Sequence, residues 1–105
     1  MDAICKSERT IEGETIRTYR GLIKHDETDV DVEAGTSGFN GGSQNKGARA
    51  FFCISSFGGH FRFGPMVDEK GEPAGINITC SGDAELLTLL EALTFSLETL
   101  VEQCK

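Results

Sequence analysis

With 105 residues, 38% of them hydrophobic, the chain has the length of one domain (residues 1–105) and enough apolar side chain for one core without metal or disulfide staples. Its net charge of −7 repels nucleic-acid phosphates and disfavours direct binding of DNA or RNA. No apolar run approaches the length of a membrane span, and Met1-Asp2-Ala3-Ile4-Cys5-Lys6 lacks the basic start and apolar run of a signal peptide, so a cytoplasmic location is expected.

In chain order, residues 10–24 read as strand material, with Ile11, Ile16, Tyr19, Leu22 and Ile23 among Thr and Arg and a tight turn at Glu12-Gly13-Glu14. Residues 28–34 alternate. An extended strand there turns Val30 and Val32 one way and Asp29, Asp31 and Glu33 the other. Residues 35–47 (GTSGFNGGSQNKG) form a long flexible loop, costly to order and longer than a routine connection. Residues 50–57 and 60–66 are expected to pair as a hairpin through Gly58-Gly59, with Phe57 opposite His60 and Ile54 opposite Phe63. Phe51, Cys53, Phe57, His60 and Arg62 then share one face. Pro65 should end or edge the second strand. Residues 68–75 are a polar turn and residues 76–80 a short alternating strand.

Ser81-Gly82-Asp83 supplies cap residues for a helix running to about Gln103, with Asp83 and Glu85 suiting its positive end. Leu86, Leu90, Leu93, Leu97, Leu100 and Cys104 step by four and three and fall within roughly 40° of one line at 100° per residue. That stripe is expected to pack on the sheet, leaving Thr88, Glu91, Phe95, Glu98 and Glu102 on the far side. The resulting class is α+β: a two-layer fold with an antiparallel four- to five-stranded sheet and one long C-terminal helix packed on one face.

Charge is segregated along the chain. Residues 34–67 hold no carboxylate but six of the seven phenylalanines, and Asp26-Glu27-Thr28-Asp29-Val30-Asp31-Val32-Glu33 stands just before them. The four cysteines are far apart and in no metal-ligand spacing. They are expected to be reduced, with Cys53, Cys80 and Cys104 serving as small buried hydrophobes. The Gly-rich loop has no GxGxxG, and Gly47 is followed by Ala48-Arg49 rather than Lys-Ser or Lys-Thr, so a phosphate cradle is not indicated. Lys46-Gly47-Ala48-Arg49 opens like an RNA-recognition strand, but Ala48 and Ala50 stand where aromatics should alternate. Cys53 and His60 lack an orienting Asn or Asp, and Asp29, Asp31 and Glu33 lack the turn glycine of a calcium loop. No metal or other cofactor is expected.

These features point to a small acidic, non-enzymatic binding protein. Asp26, Glu27, Asp29, Asp31 and Glu33 would meet a basic partner surface, with Phe39 and Phe95 as apolar anchors. A phage-type inhibitor that occupies the nucleic-acid-binding surface of its partner has this size and charge. Phe51, Phe57, His60 and Arg62 would form a homo-oligomer interface, because one helix can cover only one sheet face. The alternative is a small-molecule binder in which the glycine-rich loop, Arg49 and Arg62 hold an anionic ligand or nucleotide.

Overall fold

The computed structural model describes residues 4–39 and 47–105. Six strands precede one helix: β1 (Ile4–Ile11), β2 (Glu14–His25), β3 (Thr28–Thr36), β4 (Ala50–Ser55), β5 (Phe61–Val67), β6 (Pro73–Cys80) and α1 (Asp83–Gln103). β1 to β4 form an antiparallel sheet in sequence order, β5 and β6 form a separate ribbon, and α1 lies over β2 and β3. The class is α+β, as the sequence predicts.

The first hairpin turns at Glu12 and Gly13, whose φ values of 49° and 82° are those of a turn that matches strand twist. β1 reaches back to Ile4, well before the strand predicted to begin at residue 10, because its polar residues pair with β2 along their whole length. In β3 the alternation holds. Val30 and Val32 are buried beneath the helix and pair with Ile23 and Gly21 of β2, while Asp29, Asp31 and Glu33 point to the other face. β3 runs on through Gly35 and Thr36, the first residues of the predicted loop. Residues 40–46 of that loop lie outside the described residues.

Gly35 is required where it stands. A Cβ there would run into the Arg17 carbonyl oxygen and lie 2.8 Å from Thr18 Cα, both on the neighbouring strand. Gly35→Ala should therefore cost about 3 kcal/mol, at the upper end of overpacking effects, read as a lower urea midpoint at unchanged slope.

Two expectations are corrected. The first is the hairpin at residues 50–66. β4 pairs only with β3, setting Ile54 against Val32 and Phe52 against Ala34, while β5 pairs with β6, setting Phe63 against Ile78 and Phe61 against Cys80. Gly58-Gly59 thus joins two sheets instead of closing a hairpin. The turn that does close one is Asp68–Glu72, where the Asp68 carboxylate accepts the backbone N–H groups of Lys70 and Glu72 at 2.8 and 3.0 Å. β5 and β6 together make an apolar face that neither strand offers alone, and that face closes the core. Phe61 is buried with Ile23, Val30, Val32 and Ala92, flanked by Ile54, Phe63, Ile78 and Leu89. Pro65 sits within β5, opposite Ile76, on a ribbon whose strands are both edges.

The second correction is the face of the helix. Thr88, Ala92 and Ser96 are the residues buried against the sheet, and Leu86, Leu90, Leu93 and Leu97 are exposed. At 100° per residue the sheet-facing line lies about 120° from the leucine line. Side-chain size and satisfied hydroxyls explain the choice. Small residues let the helix approach the valine-rich sheet closely, and the Thr88 and Ser96 hydroxyls donate back to the Ala84 and Ala92 carbonyls, both at 2.7 Å. Phe95 is opposite the leucines as predicted, but that side faces the sheet, so it is half-buried against the core. The helix cap is Gly82, with no side-chain hydrogen bond. At the other end Gln103 clamps the helix down, accepting the Thr36 N–H at 3.0 Å and donating to the Arg17 carbonyl at 2.9 Å.

The cysteines differ from expectation as well. Cys53 and Cys104 are exposed and Cys80 is half-buried, because β4 turns Cys53 to the helix-free face and Cys104 follows the leucine line.

Candidate functional site

The helix-free face of the sheet is tiled by ion pairs. Register places Arg20 beside Glu33, Leu22 beside Asp31 and Lys24 beside Asp29. Arg9 of β1 reaches across β2 and grips Glu33 with two hydrogen bonds of 2.8 and 2.7 Å, and the Thr18 hydroxyl donates a third at 2.7 Å. Three donors hold the Glu33 carboxyl below the usual carboxylate range, with the Arg9 hydrogen bond as the largest cause. The same contact pushes Arg9 upward, and its guanidinium also stacks over the Phe51 ring at 4.6 Å. Arg20 holds Asp31 through bonds of 2.8 and 2.6 Å and is likewise pushed upward by them.

These pairings redefine the acidic strand. Glu33 is 4% exposed and Asp31 is committed to Arg20, so neither offers a free charge to a partner. Asp29 is half-buried, its carbonyl accepting the Ser56 hydroxyl at 2.6 Å. Only Asp26 and Glu27, at the turn between β2 and β3, are exposed. Among the other predicted residues, Phe39 is exposed at the end of the described part of the loop. Phe51, Phe57, His60 and Arg62 do not share a face. Phe51 lies under Arg9, Phe57 is 94% exposed in the β4–β5 connection, and His60 and Arg62 line a cleft with Thr79, Cys80, Ser81 and Glu85 at the helix N-terminus.

Arg49 and Arg62 are not brought together either. Arg49 is tied near the helix C-terminus, 3.6 Å from Glu12 and 3.3 Å from the Ile11 carbonyl, while Arg62 stands at the N-terminal end. A 21-residue helix of roughly 30 Å lies between these two ends.

The larger concavity is a groove of about 520 Å³ between α1 and the β1–β2 edge, with Ile4, Tyr19 and Phe95 as its apolar walls and Thr99, Glu98, Glu102 and Gln103 above them. It exists because α1 sits over β2 and β3 and leaves β1 uncovered on that side. Of its residues only Phe95 is predicted as a site residue. Its helix neighbours Glu98, Thr99 and Glu102 follow at i+3, i+4 and i+7, a legible pattern once the sheet is known to lie on the phenylalanine side.

Among the described residues, no cluster of three His, Cys, Asp or Glu could hold a metal ion, and no helix is long and apolar enough to cross a membrane. Comparison with protein-family models, curated proteins and solved structures finds no match for this chain.

Proposed function

We propose that the protein is a small non-enzymatic binding protein that works as a homo-oligomer and seats a basic, apolar-anchored segment of a partner protein in the groove beside Phe95. The observation that carries this reading is the groove itself: an apolar floor lined also by Glu98 and Glu102, with no cation lining it among the described residues. The apolar walls would take an anchor side chain while the two carboxylates register Lys or Arg on either side of it. Segments of that composition are common in proteins that handle nucleic acids, which keeps the inhibitor reading and moves its acids from the β3 strand to the helix.

The test uses a short synthetic peptide of alternating Lys and Leu, titrated against the labelled protein and followed by amide chemical shifts. Shifts should concentrate at Tyr19, Phe95 and Thr99, weaken at high salt, and fall at least tenfold in apparent affinity when Glu98 and Glu102 are both changed to Lys. Shifts scattered over the surface, or unchanged by the double substitution, would remove the groove as the binding site.

A further inference from the structure

We infer that a second copy of this chain covers the leucine face of α1, so that the protein is a dimer built on a helix–helix seam. The face is unusual for a lone chain. Leu86, Leu90, Leu93 and Leu97 are each about half exposed or more, with Leu97 at 64%. They follow the heptad alternation of four and three, the spacing that lets one helix seat against another. The positions flanking the seam are Leu87, Leu89, Thr94, Ser96, Val101 and Gln103, none of them charged. Glu91, Glu98 and Glu102 lie 120° or more around the helix from the seam. Asp83, at the helix start and about 60° from the line, is the nearest carboxylate, so from Leu86 onward two copies of this chain of net charge −7 meet without bringing carboxylates together.

The dimensions support the same occupant. The accessible surface is 7135 Å², against about 5,700 Å² for a folded monomer of this mass. The excess of about 1,400 Å² is spread over an open, flat molecule and exceeds the roughly 800 Å² that each partner buries in a standard interface, leaving room for a second copy. The Cα radius of gyration is 15.3 Å, against about 13 Å for a compact domain of this length, and the molecule is only 17 Å thick.

The β5–β6 ribbon shares a core with this helix: its Phe63 and Ile78 pack against the same buried cluster as Leu89, which borders the seam. Further along that ribbon face Pro65 and Ile76 are exposed, overhanging the domain. A two-stranded ribbon is marginal by itself, and a partner helix docked on the seam would lie alongside this overhang. This interface differs from the predicted one at Phe51 and Phe57. It also stands apart from the groove, which opens on the opposite side of α1.

Sedimentation velocity on the intact chain tests the inference. The expected mass is twice the 11.3 kDa of one chain, returning to that of one chain in Leu90→Glu and in Leu93→Glu, with far-UV circular dichroism retained. Because a monomer stripped of its partner can unfold, a second measurement uses Leu93→Cys in a chain whose Cys5, Cys53 and Cys104 are serine. Position 93 is central in α1, so it meets its counterpart whether the helices run parallel or antiparallel, and a short bismaleimide should link two chains there. Glu102→Cys in the same background, on the groove side, should not link. A wild-type chain that stays monomeric at high micromolar concentration overturns the proposal. So does a dimer that survives both glutamate substitutions and fails to cross-link at position 93. A monomeric wild-type chain would also remove the homo-oligomer from the proposed function, on which this inference rests, whereas neither result bears on peptide binding in the groove, which the peptide titration tests separately.

Discussion

Replacing Phe61 with alanine should cost about 3–5 kcal/mol, a large share of the 5–15 kcal/mol that holds a small domain together. Phe61 is 5% exposed and is the one buried side chain that the β5–β6 ribbon contributes to the core. Its loss opens a cavity among Ile23, Val30, Val32 and Ala92, and it removes the anchor of a ribbon that pairs with no other strand. Urea unfolding should show the lower midpoint, and amide exchange should show β6 opening ahead of β2 and β3. A loss under about 1 kcal/mol would mean that the ribbon is held elsewhere.

The second large effect is at Glu33. Glu33→Gln removes the charge from a carboxylate held by three donors, and should lower stability at neutral pH by about 2 kcal/mol. The pH dependence carries the sharper signature. The folded-state pKa of Glu33 is depressed, so its contribution is present above the ordinary carboxylate value of about 4.3 and is lost as pH falls through the lower folded value. Stability of the wild-type chain should therefore fall steeply on acidification below about pH 4.5, and the Gln variant should lose part of that slope. Equal slopes in the two chains would show that the Arg9–Glu33 pair adds nothing to folding.

Much of this fold is legible in the sequence, and the lapses share a cause. The valine–carboxylate alternation of β3, the turn at Glu12-Gly13 and the extent of α1 follow from local rules of period and turn chemistry. Which of two apolar surfaces meets which partner is not local. The leucine line outscores Thr88, Ala92 and Ser96 on hydrophobicity, yet the sheet takes the small residues because they permit close approach. Gly58-Gly59 can turn back or cross over, and the choice depends on β6, which lies a dozen residues further on. The acids of β3 read as a free surface because Arg9 is 24 residues away from Glu33, a separation that no periodicity links. The groove beside Phe95 is illegible for the same reason, since it forms only once the sheet has taken that side of the helix.

The order of the elements also shapes how the protein is made. The sheet is a meander of neighbours, so each strand can add to the last as it leaves the ribosome. Its valine face nevertheless stays only partly covered, by Phe61 of the β5–β6 ribbon, until α1 emerges, since that helix follows all six strands and carries Ala92. During translation the half-built protein is therefore an open sheet with one oily side, and its retention in a soluble form falls to whatever meets it before the helix does.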